Sequence, residues 1–216
     1  MLDKKTILTC FIVFISLGNL AFAMTISIID HHGQPLADTV LEIPVSQSTK
    51  SDLSVPIIMD QVDKSFAPIV LLAKKNSLVS FPNSDYIRHH VYSFSAAKSF
   101  ELKLYAARPK SPIKFEQDGI VVLGCNIHDS MVGYIYVHDN TVTLKSNEQG
   151  KIEIDEVPSL AKSFFLWHPN AIKGVEHRET LPISLLNSKE KELTLTLITK
   201  TPAPRNTFGE LSKHAH

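Results

Sequence analysis

Residues 120–131, IVVLGCNIHDSM, run from an apolar, β-branched segment into Cys125, His128 and Met131. The segment reads as a buried strand. The spacing C-x-x-H-x-x-M then puts a thiol, an imidazole and a thioether within one short loop at its end. Soft sulfur ligands and imidazole suit copper, and two His, one Cys and a weak axial Met make a blue-copper set. That set needs a second His from elsewhere. Residues 81–95, FPNSDYIRHHVYSFS, offer His89 and His90 on another predicted strand. Alternation puts His90 with Tyr92 and Phe94 on one face, and His89 with Val91 and Ser93 on the other. The more apolar face selects His90, so pattern alone leaves the choice open.

Outward from these two stretches, short apolar runs recur at 65–72, 77–82, 99–104, 112–115 and 132–138. Pro, Gly, Asn and Asp separate them, which predicts an all-β sandwich or barrel. Later runs at 141–146, 151–154, 163–167 and 191–198 bury little by themselves. They are expected to pair with strands at 24–30 and 39–45 in a second small sandwich. The expected division is therefore a copper domain at 55–138, flanked by the two halves of a small module at 24–50 and 139–199. Residues 200–216, rich in Pro and polar side chains, read as a disordered tail.

The first 23 residues read as a secretory signal. Lys4 and Lys5 precede an apolar run, and Ala21-Phe22-Ala23 forms an A-x-A cleavage site. The run falls short of the roughly 18–20 residues that a membrane span needs, so no membrane anchor is expected. Removal of the signal takes Cys10 and leaves Cys125 alone. A lone Cys has no internal disulfide to make. An exposed thiol is a liability in an oxidising compartment, whereas a metal-bound one is protected. A buried, inert Cys is the bland alternative. The His and Met that follow Cys125 argue against it.

Lys+Arg and Asp+Glu both number 22, so nothing in the charge points to nucleic acid. No nucleophile–base pair, zinc H-E-x-x-H pattern or phosphate loop occurs, and no enzyme activity is expected. A single Cys excludes a dinuclear centre bridged by two thiolates. The His-x-His of His214 and His216 stands in the tail. His31 and His32 lie in a predicted turn and read as solvated. Met131 has core packing as its alternative role, and Met59 is an alternative axial group.

Residues 65–138 resemble the cupredoxins, the fold of plastocyanin, pseudoazurin and amicyanin. The matching pieces are Phe66 and Pro68 in F-x-P, Asn83 and Asp85 in N-x-D, His89 and Val91 in H-x-V, and the C-x-x-H-x-x-M loop. A longer stretch, about 24–170, resembles periplasmic proteins labelled methylamine utilization proteins. It shares Met59-Asp60-Gln61, FPNxD, HHVYSFS, GCNIHDSM and Trp167-His168-Pro169. In that group the flanking strands look like a carboxypeptidase regulatory-like or transthyretin-like module. The resemblance implies a cupredoxin-like Greek-key β-sandwich with one copper per chain. His89, Cys125 and His128 would be its ligands and Met131 the weak axial one. The H-x-V register selects His89 and puts His90 where an Asn usually stands. The resemblance further implies a periplasmic, monomeric carrier of single electrons with a protein redox partner. The electron port would be the edge of His128 in an apolar patch, to which Ile127, Met131 and Val132 would contribute. Two other readings stay open: a copper carrier or sensor, and a β-sandwich binding module with structural copper.

Overall fold

The computed structural model describes residues 24–46, 53–107, 111–188 and 190–200. The expected signal at 1–23, the end of the first half-module at 47–50 and the tail from 201 onward lie outside the described residues. The chain opens with β1 (Met24–Asp30) and β2 (Val40–Pro44). Then come β3 (Ile57–Ile58), β4 (Asp60–Val62), β5 (Ser65–Ala67), β6 (Val70–Lys74) and β7 (Leu78–Ser80). They are followed by β8 (His89–Ser95), β9 (Lys98–Tyr105), β10 (Ile113–Lys114), β11 (Gly119–Cys125) and β12 (Val132–His138). The last strands are β13 (Thr141–Lys145), β14 (Lys151–Ile154), β15 (Ser163–Trp167), β16 (Glu179–Pro182) and β17 (Glu192–Leu197). One turn of 3-10 helix covers Ile183–Leu185. The class is all-β, as the sequence predicts. Among the described residues no helix is long and apolar enough to cross a membrane.

The strands sort into two sandwiches. In the first, a five-stranded sheet of order β6-β12-β11-β8-β9 faces a three-stranded sheet of order β10-β7-β3. Val91, Val121, Leu123, Cys125, Ile135 and Val137 meet Val79, Phe81 and Phe115 in one core. The small hairpin β4–β5 adds Phe66 to it. In the second, β14-β1-β17 faces β13-β2-β15-β16 around Ile26, Ile28, Leu41, Ile43, Phe164 and Leu166. Strands β1 and β2 thus pair with β13, β14, β15 and β17, far from them in sequence.

The run Ile120–Leu123 is continuously apolar because β11 is buried on both faces. Val121 and Leu123 point into the first core, whereas Ile120 and Val122 point toward the second sandwich. Strand β12 divides likewise, with Ile135 and Val137 inward and Tyr134 and Tyr136 outward. Those tyrosines pack on Trp167 at ring-centre distances of 5.8 and 5.4 Å. The indole Nε1–H donates to the Val175 carbonyl at 2.6 Å. Beside them the buried Glu42 carboxylate accepts from Tyr136 Oη and from Arg178. Arg178 also lies over the Tyr136 ring at 4.8 Å, so the buried charge is paired from two sides. The two sandwiches therefore share a packed junction behind the strand that ends in Cys125.

Two differences from the sequence reading have local causes. The run 65–72 is two strands, because Pro68 has no N–H to donate and interrupts the ladder between β5 and β6. Strands β3, β4 and β16 were not expected. Strand β4 is mostly polar, β16 is half polar and ends in Pro182, and β3 is two residues long.

Candidate metal centre

Antiparallel pairing of β8 with β11 sets Val91 opposite Cys125. His89 lies two residues further along the same face of β8. The face of β8 carrying His89, Val91 and Ser93 is buried. The opposite face is outward, with Phe94 84% exposed. The apolar-face argument for His90 is thereby overturned. Its aromatic residues cover one another on the outside, His90 against Tyr92 at 6.1 Å and Tyr92 against Phe94 at 5.2 Å. His90 Nε2 lies 2.9 Å from Glu101 Oε1, away from the thiol. A methyl group at Gly124 would stand 2.7 Å from Cζ of Tyr92. Glycine next to Cys125 lets this ring cross the strand.

The loop after Cys125 is short and closed by its own backbone. Met131 N–H donates to the His128 carbonyl at 2.9 Å, and Cys125 N–H donates to the Met131 carbonyl at 3.2 Å. This single turn brings His128 back over the thiol. Cys125 Sγ is 3.7 Å from His89 Nδ1 and 3.7 Å from His128 Nδ1. The three donor atoms lie within 4.8 Å of one another, and no other group of three such residues occurs among the described residues. Cys125 is 3% exposed, and His89 is fully buried. The two imidazoles stand 5.0 Å apart at 55°.

The donor set fits a metal ion. Bonds of about 2.0 Å to nitrogen and about 2.3 Å to sulfur, opened to a trigonal angle, separate N from S by about 3.7 Å. Burial pushes the His128 imidazolium toward losing its proton, and the nearby His89 and Lys64 act in the same direction, with Asp85 opposing. A neutral ring presents its Nδ1 lone pair to a metal. His89 is oriented from behind, where Asp85 Oδ2 stands 2.7 Å from Nε2. Burial raises the Asp85 pKa, but the Lys64 N–H, the His89 ring and the Asp63 N–H outweigh it and hold the group below its ordinary value. An ionised carboxylate can only accept a hydrogen bond, which favours the tautomer with the proton on Nε2 and Nδ1 free to face the sulfur. Sequence reasoning missed this contact, although an Asp four residues before His89 was its signal.

The other predicted residues fall as follows. Met131 is 1% exposed and belongs to the core that holds Cys125. It therefore adds nothing to an exposed patch, which corrects that expectation. Its loop turns inward after Ser130, leaving Ile127 at 51% and Val132 at 37% exposure on the surface. Met59 is fully buried in the same core. His31 and His32 are exposed, with their rings 3.9 Å apart. His214 and His216 lie outside the described residues.

No family model matches the chain, and neither does any curated protein. Several solved structures are similar to part of it. One is the Cu-containing nitrite reductase from Thermus scotoductus SA-01, at 26% identity and a TM-score of 0.38, covering 44% of this chain and 25% of that one. The chain thus spans about a quarter of the reductase. A reduced mutant of amicyanin is similar at 18% identity and a TM-score of 0.33, covering 45% of this chain and 91% of that one. The "Novel Purple Cupredoxin" from Nitrosopumilus maritimus is similar at 20% identity and a TM-score of 0.33, covering 38% of this chain and 96% of that one.

Proposed function

We propose that this chain is a mononuclear blue-copper protein that carries single electrons. The observation that carries the reading is the buried Cys125 thiol with two imidazole nitrogens each 3.7 Å from it. When bound, copper would supply a one-electron couple between Cu(I) and Cu(II). The chain's own part is to hold the donors still. Paired strands fix His89 and Cys125, and the loop hydrogen bonds fix His128 relative to them. Such rigidity keeps donor positions alike in both oxidation states. In this reading His89, Cys125 and His128 would hold the copper, with the Met131 thioether as a weaker fourth donor. The single cluster among the described residues supports one copper per chain.

The chain is further proposed to work in the periplasm as a monomer of the methylamine utilization type, with no catalysis of its own and a protein as redox partner. The support for this is the sequence resemblance together with the signal-like residues 1–23. Partner contact would centre on the partly exposed His128 and on Ile127 beside it.

The ligand set is tested by replacing the adjacent histidines in turn. His89→Ala is expected to remove the intense visible colour of the Cu(II)-loaded protein. His90→Ala is expected to leave it, because that ring faces Glu101 and not the thiol. Absorption spectra of the two variants decide the matter. A colourless His90→Ala beside a coloured His89→Ala would overturn the assignment.

A further inference from the structure

The hairpin of β4 and β5 does more than close the core. Its turn residues Asp63 and Lys64 both adopt left-handed backbone angles, φ 51° and 58°. Such conformations are uncommon outside glycine. Here they turn two successive N–H groups onto one carboxylate. Asp63 N–H donates to Asp85 Oδ1 at 2.6 Å, and Lys64 N–H donates to Oδ2 at 3.0 Å. Consecutive N–H groups arranged in this way form an anion cradle.

The loop that carries Asp85 is tied down on both sides. Asp60 of β4 accepts from Ser84 Oγ at 2.8 Å, and Ser84 N–H donates to the Gln61 carbonyl at 3.0 Å. Buried Asn83 accepts from Asp85 N–H at 3.0 Å, while its own amide donates to the Ile87 and Tyr105 carbonyls. Gln61 Nε2 donates to the Pro82 carbonyl at 2.8 Å. The Met59-Asp60-Gln61 and F-P-N-x-D stretches thus hold the loop that carries Asp85. The Asp85 side chain is 11% exposed, and its partner His89 is 0% exposed.

An ion pair on the surface would contribute little here. This pair is sheltered, its geometry is held by backbone, and it lies on the nitrogen of His89 that faces away from the thiol. A carboxylate in that place fixes the tautomer and the ring orientation of a metal-ligating His, and raises its donor strength.

Resting on the copper reading above, we propose that Asp85 is a positioning residue that sets the reduction potential of the site. Its carboxylate holds His89 with Nδ1 bare toward Cys125, and its charge favours the more positive oxidation state. The β4–β5 turn is the device that keeps the carboxylate in place.

Two measurements test this. In metal-free protein, nitrogen chemical shifts of His89 are expected to show a proton on Nε2 and none on Nδ1. Asp85→Asn keeps an acceptor oxygen and is expected to keep that tautomer. Asp85→Ala lacks one and is expected to show both tautomers. In copper-loaded Asp85→Asn, loss of the charge is expected to shift the Cu(I)/Cu(II) balance tenfold or more toward Cu(I). A tenfold shift is a rise of about 59 mV for one electron. An Asp85→Asn wave at the parent potential overturns the proposal. So does an unmixed Nε2–H tautomer in Asp85→Ala. If Asp85→Ala does not fold, the isosteric Asp85→Asn potential decides alone. If the parent binds no copper, the functional reading fails, and the tautomer result still decides the positioning role of Asp85.

Discussion

The Cys125→Ser protein, given Cu(II), is expected to be nearly colourless where the parent is intensely coloured. The colour of a blue-copper centre comes from a short bond between thiolate sulfur and the metal. Serine matches cysteine in shape but its hydroxyl does not ionise near neutral pH, so the soft donor is lost. The site around it should survive. Cys125 N–H pairs with the Met131 carbonyl, and that bond needs no side chain. His89 stays oriented by Asp85. The variant is therefore expected to fold with the parent's circular dichroism while its strong visible band falls by an order of magnitude or more. A Ser variant as coloured as the parent would mean that the thiol is not on the metal.

The largest effect on stability is expected at Trp167. It is 1% exposed and fills the junction between the two sandwiches. Its ring packs on Tyr134 and Tyr136, and its Nε1–H is satisfied by Val175. Trp167→Ala removes this packing and leaves a cavity, at a cost of about 3–5 kcal/mol. The Val175 carbonyl also loses its donor. Urea unfolding followed by far-ultraviolet circular dichroism measures the loss. A cost below about 1 kcal/mol would mean that the junction repacks freely. Copper binding in conditions where the variant is folded is expected to persist, because Trp167 touches the outer face of β12 and the candidate ligands lie on the inner side.

Much of this architecture is legible in the chain. Each core strand has a β-branched or aromatic run closed by a turn residue, and the run at Ile120–Leu123 signals burial on both faces. The C-x-x-H-x-x-M spacing makes the nearness of Cys125 and His128 legible, since a loop so short folds back in one turn. Two things are not legible locally. Residues His89 to Phe94 are suitable for burial on either face, and only pairing with β11 decides which faces inward. The polar strand β4 looks like loop because its side chains are held by partners 21 to 44 residues away, Pro82, Ser84 and Tyr105. The contact of Asp85 with His89 is hidden for a similar reason. Its shelter arises from the left-handed turn at Asp63 and Lys64, a conformation that Asp tolerates but Lys does not advertise.

Cyclic voltammetry of the copper-loaded parent protein tests the central claim most directly. A donor set held by paired strands and a closed loop predicts one reversible single-electron wave, with copper retained over repeated cycles. An irreversible wave with copper released on reduction would contradict electron carriage and favour a copper carrier instead.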